Sequence, residues 1–128
     1  MKKNLSSKYK YDHMGVPLNQ ITDDMVHIEK LKMWVTKYED SSFRVQYHFY
    51  DKDCTIHQLI QSRPHVALRV PNLVEAIVGQ NVILAPYEPL PGYKVAFIES
   101  EGTPIELIES DLTDEEIIAL ENASIDHS

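Results

Sequence analysis

The sequence is poor in cysteine, glycine and basic side chains, with one Cys, four Gly and twelve Lys plus Arg in 128 residues. A lone Cys54 excludes an internal disulfide, and without a Cys-x-x-Cys pair a thiolate zinc site is excluded as well. Twenty Asp plus Glu bring the net charge to −8, the wrong sign for gripping a phosphate backbone, so nucleic acid is not an expected partner. No apolar run approaches the roughly 20 residues that cross a bilayer, and the opening MKKNLSSKYKY lacks the apolar region of a secretion signal. The expectation is a cytoplasmic protein with no membrane partner. What is present is ordinary for one globular domain: 43% hydrophobic, 25% charged, and no low-complexity stretch.

Residues 1–10 hold four lysines and read as a flexible lead-in. Residues 11–50 read as a first module. Asp12 to Leu18 alternates, with Met14, Val16 and Leu18 on one face and His13, Gly15 and Pro17 on the other. NQITDD is too short a joint for a helix. Met25–Glu29, Leu31–Tyr38 and the strictly alternating FRVQYHFY then read as a meander of strands. In the last of these, Phe43, Val45, Tyr47 and Phe49 oppose Arg44, Gln46, His48 and Tyr50.

Residues 51–64 form a joint with a helical turn around Ile56, Leu59 and Ile60. Residues 65–110 read as a second module. It runs from strand HVALRV through a short helix capped by Asn72 and stopped at Gly79 to the strands NVILAP, GYKVAFIES and TPIELIES. PYEPLPG and EG read as turns. The tail 111–128 opens with a Thr113/Glu116 capping box and a Leu112/Ile117 staple, so a terminal helix is expected.

Six histidines invite a metal hypothesis, but position decides. His13 and His65 open the first strand of each module and can converge if the modules pair about a pseudo-twofold axis. Glu106 is a carboxylate inside the apolar strand Ile105–Ile108, where an unpaired charge is costly, so it calls for a partner. Two imidazoles and a carboxylate suit a divalent Zn, Ni, Co, Mn or Fe ion. Gln46 holds the place in module one that Glu106 holds in module two. His27, His57 and His127 read as solvent-facing. Trp34, Tyr47, Phe49 and Phe97 read as core rather than pocket lining, Arg44, Arg63, Arg69 and Lys94 as surface charge, and Cys54 as uninvolved in catalysis.

At these residues, DHMGVP and RPHVALRVPNLVEAIVGQNVILAPYEPLPGYKVAFIESEGTPIELIE, the sequence resembles the vicinal oxygen chelate superfamily. That superfamily includes glyoxalases, extradiol dioxygenases and bleomycin-resistance proteins. The resemblance implies an α+β fold of paired βαβββ modules curled into a cup, with the first-module helix shortened here. It implies metal ligation by His13, His65 and Glu106, with a fourth position at Gln46 or His48. A His, Gln, His, Glu set is similar to that of methylmalonyl-CoA epimerase-type members. It further implies a lyase, isomerase, epimerase or dioxygenase acting on a small oxygen-rich substrate, with His48 as base (Glu99 and Glu101 as weaker choices), and a homodimer. The rival implication is a metal-free, small-molecule-sequestering protein of the same fold.

Overall fold

In a computed structural model, residues 7–126 are described, the side chains as far as 123. His127 therefore lies outside the described residues. The chain forms β1 (Lys10–Pro17), β2 (Val26–Ile28), β3 (Met33–Val35), β4 (Val45–Tyr50), α1 (Gln58–Ser62), β5 (His65–Arg69), α2 (Leu73–Ala76), β6 (Asn81–Leu90), β7 (Tyr93–Ser100), β8 (Thr103–Glu109) and α3 (Asp114–Asp126). All eight strands join one curled half-barrel sheet, an α+β architecture, in the order β2-β3-β4-β1-β5-β8-β7-β6. Among the described residues no helix is long and apolar enough to cross a membrane.

The order is its own evidence of a two-module plan. Reading outward from the central antiparallel pair β1–β5, each module runs first strand, last strand, third, second. The first and last strands of each module pair in parallel, β1 with β4 and β5 with β8. The register carries the same symmetry: Gly15 stands opposite Gln46 as Ala67 stands opposite Glu106.

Two apolar clusters lie on opposite faces of the second module, because strand side chains alternate between faces. The inner cluster gathers Ala67, Tyr93, Val95, Phe97 and Ile108 under Ile60 of α1 and Ile117 of α3. The outer cluster gathers Val70, Ala96, Ile98 and Leu107 under Leu73 of α2. The Asn72 side chain caps α2 by accepting from the Glu75 N–H at 2.9 Å, and Gly79 takes a left-handed φ of 75° just beyond it. Module one has no counterpart to α2, so its outer face leaves Tyr11, Met14 and Tyr47 exposed.

Several expectations need correction. Lys10 already belongs to β1 and Tyr9 packs against the outer cluster, so the end of the lead-in is part of the fold. Only Pro91 and Gly92 of PYEPLPG form the turn, because β6 continues through Pro86 and Pro89 to Leu90. The proline positions coincide with register irregularities on the sheet's edge strand, where a missing N–H is tolerated. Phe43 does not begin β4. Arg44 takes a left-handed φ of 58° that breaks the alternation, leaving Phe43 82% exposed. Tyr47 is exposed at 40% rather than core, whereas Phe97 is buried. His27 is not free in solvent: it packs on Trp34 and its Nε2 lies 2.8 Å from Asp51 Oδ2.

Candidate metal centre

The centre is built on β1, β5 and β8. His65 and Glu106 face inward by ordinary strand alternation. His13 does so beside a β-bulge: Tyr11 pairs with Leu68 and His13 with Ala67, so Asp12 is the extra residue on β1. A bulge places consecutive side chains on the same side, and Asp12 and His13 are both buried. Asp12 Oδ2 accepts from His13 Nδ1 at 2.7 Å, which turns His13 Nε2 toward Glu106.

Three donor atoms meet there. Glu106 Oε1 lies 3.3 Å from His13 Nε2 and 3.1 Å from His65 Nε2, and the three ligand atoms all fall within 4.8 Å of one another. Ligands sharing one cation at about 2.1 Å stand roughly 3.0–3.4 Å apart at right or tetrahedral angles. The two separations to Glu106 and the donor types therefore fit a divalent ion. His65 is 2% exposed and Glu106 9%. No other such group of His, Cys, Asp and Glu converges among the described residues.

The three side chains also share protons and charge. Burial pulls the His13 imidazolium down, but its hydrogen bonds to Asp12 and Glu106, and their charges, outweigh that and push it up to about 9. Burial works to raise the Glu106 carboxyl, yet hydrogen bonds from His13 and His65 hold it well below the usual carboxylate range. Asp12 is likewise lowered against its burial, by His13 and then Arg69. His13 thus lies between two carboxylates, those of Asp12 and Glu106.

Around the centre lie residues that the sequence reading placed elsewhere or did not single out. Tyr38 stacks on His13 with ring centroids 4.5 Å apart, and the Arg44 guanidinium lies over the Tyr38 ring, 4.8 Å from its centroid. Phe97 meets His65 edge-on at 4.9 Å. Gly15 is needed for close approach: a Cβ there would lie 2.6 Å from His65 Nε2 and 2.8 Å from His48 Cε1. A glycine inside an alternating strand is the one sequence signal that points to it. Arg44 and Arg69 are not surface charges. Arg44 grips Asp114 with two bonds and donates to the Asp12 carbonyl, and Arg69 Nε donates to Asp12 Oδ1 at 3.0 Å.

Gln46 and His48 sit beside the triad on β4. Gln46 Nε2 donates to the Thr36 carbonyl at 3.0 Å, which can only accept, so Oε1 is the atom facing His48 Nε2 at 2.7 Å. His48 Nε2 therefore carries the hydrogen, and Nδ1 accepts from the Tyr50 hydroxyl at 3.0 Å. Burial, then the neighbouring His65, pushes the His48 imidazolium down to about 3. His48 is thus neutral here with its lone pair engaged. Glu99 is turned onto Asn81 and the Gly102 N–H, and Glu101 is exposed in the adjoining turn. His57 is exposed and caps α1, and the Cys54 thiol donates to the Leu31 carbonyl.

No family model matches the chain and no curated protein does. Among solved structures, the fold is similar to hypothetical protein BH1468 from Bacillus halodurans C-125, at 18% identity and a TM-score of 0.58, covering 84% of this chain and 98% of that one. It is also similar to methylmalonyl-CoA epimerase from Mycobacterium tuberculosis, at 16% identity and a TM-score of 0.56, covering 86% and 94%. At these identities the likeness is one of fold.

Proposed function

We propose that the chain is a cytoplasmic metalloenzyme of the vicinal oxygen chelate type, with His13, His65 and Glu106 holding one divalent cation and Gln46 supplying the fourth position. The observation that carries this reading is the meeting of two imidazole nitrogens and one carboxylate oxygen from three separate strands within 4.8 Å. Support for Gln46 comes from the register, which gives it the place of Glu106 in the other module. Its amide is already oriented by Thr36 and His48, and its oxygen keeps a second lone pair. The fold neighbour described as an epimerase makes proton transfer beside a chelated substrate the favoured reaction type among lyase, isomerase, epimerase and dioxygenase.

When bound, such a cation supplies Lewis-acid stabilisation to an oxyanion and chelates two neighbouring substrate oxygens. The chain's own residues do the remaining work. Asp12 fixes the His13 ring and keeps Nε2 directed inward. Gln46 and Tyr50 hold His48 with its proton on Nε2. To act as a base, His48 must first exchange the Tyr50 hydroxyl for substrate at Nδ1. The sequestering alternative has no use for a converged His13, His65 and Glu106, which is what separates it from the enzyme reading.

The test is deuterium exchange. Protein loaded in turn with each candidate cation is incubated in heavy water with small compounds carrying neighbouring oxygens. The reading expects cation-dependent exchange at a carbon next to a chelated carbonyl, lost in His65→Ala. Exchange that persists without cation would contradict it.

Asp12→Asn is expected to weaken cation binding about 10–100-fold, because the carboxylate orienting a ligating histidine is worth that much. A competition titration with a chromophoric chelator measures this, and unchanged affinity would remove Asp12 from the account. The homodimer we assign to the outer face of module one, where Tyr11, Met14 and Tyr47 stand exposed without a covering helix. Light scattering is expected to give twice the 14.7 kDa chain mass, falling to one chain in Tyr47→Glu.

A further inference from the structure

Two arginines on either side of β1 each bond in two directions. Arg44 Nη1 and Nη2 hold Asp114 at 2.7 and 3.0 Å, while its Nε donates to the Asp12 carbonyl. Arg69 Nη1 donates to the carbonyls of Ser110 and Leu112 at 3.1 and 2.8 Å, while its Nε holds the Asp12 carboxylate. Residues 110–114 are therefore tied, through two side chains, to the residue that orients His13. Beyond that tie, Ile117 is buried in the inner cluster and Leu112 packs against it. Phe97 of the same cluster lies against His65. The segment that fastens to Asp12 thus also rests on the same inner face as the centre.

This segment is built to dock as a unit. Thr113 and Glu116 cap its helix reciprocally, with the Glu116 N–H donating to Thr113 Oγ1 at 3.2 Å and the Thr113 N–H to Glu116 Oε1 at 3.0 Å. Glu115, Ala119, Glu121 and Asn122 face solvent. The Asp114 end of the pair with Arg44 is one-third exposed, so water can compete for it. By contrast α1, the other element over the inner face, is followed directly by β5 and cannot lift without disturbing that strand.

We propose that residues 110–126 form a latch over the cup, fastened by Arg44 and Arg69, whose release opens the inner face and loosens Asp12 and His13 together. This rests on the reading of the His13–His65–Glu106 centre as the working site. Docked, the latch closes the centre. Released, it removes Asp114, Ser110 and Leu112 from the two arginines.

The test uses the full chain without an affinity tag and a probe that needs no cation. Carbethoxylation of His65 by diethyl pyrocarbonate is followed by peptide mass spectrometry, alongside hydrogen exchange of the amides of 114–123. In Asp114→Ala, His65 is expected to react about tenfold faster, the factor for losing one latch ion pair of about 1.4 kcal/mol. The α3 amides are expected to exchange faster to a similar degree. Glu115→Ala, which removes the same charge from the exposed side of the helix, is expected to match the parent. Faster α3 exchange with unchanged His65 reactivity would overturn the latch, as would α3 exchange that occurs only with global unfolding. If the parent fails to bind any cation, the metal reading falls while the His65 result still decides the latch.

Discussion

Replacing Glu106 with alanine is expected to abolish cation binding and to lower the unfolding free energy of the cation-free protein by about 3–5 kcal/mol, the usual penalty for stranding a buried charge. Glu106 Oε1 is the atom shared by His13 and His65, and its removal leaves the His13 imidazolium with Asp12 alone. Urea denaturation in the presence of a chelator reads the stability, and calorimetric titration reads the binding. A variant that binds as the parent does would contradict the assignment.

The same proton gives the pH dependence its sign. His13 holds its proton up to about 9 in the folded state against 6.5 ordinarily, so its contribution to cation-free stability is full below pH 6.5 and fades as pH rises through about 9. A cation must displace that proton from Nε2. Cation affinity is therefore expected to rise with pH over the same range, with proton release visible as a buffer-dependent binding enthalpy.

Gly15→Ala is expected to reduce cation affinity by at least tenfold and to destabilise the fold by about 1–3 kcal/mol, the range for overfilling a packed interior. The added carbon would meet the rings of His65 and His48 closer than real Cβ contacts allow, and both rings are buried. His65 meets Phe97 edge-on and bonds Glu106 through Nε2, so a shift of its ring disturbs the nitrogen on the carboxylate. Titration of the purified variant checks the affinity, and thermal unfolding checks the fold. Parent-like values in both would mean that β1 has room the structure does not show.

The legible part of this chain was what alternation and symmetry control. His13, His65 and Glu106 could be brought to one point from sequence because each lies on a strand of definite face, and the two modules repeat one order. The register then puts Gln46 opposite Gly15 as Glu106 stands opposite Ala67. What escaped was set by departures from alternation or by distant partners. Asp12 was hidden because a single-residue bulge turns it to the same side as His13. Arg44 read as an outlying charge because its partner Asp114 lies 70 residues away and its backbone is left-handed. PYEPLPG carried three prolines and read as a turn, yet an edge strand with one unpaired side accommodates Pro86 and Pro89, leaving the turn to Pro91 and Gly92.

Metal analysis of protein purified without a histidine tag, reconstituted with each divalent ion in turn and then desalted, addresses the centre most directly. Close to one equivalent per chain is expected for at least one ion, and none in His65→Ala. Protein that retains no ion after every reconstitution, while folded as described, would contradict it.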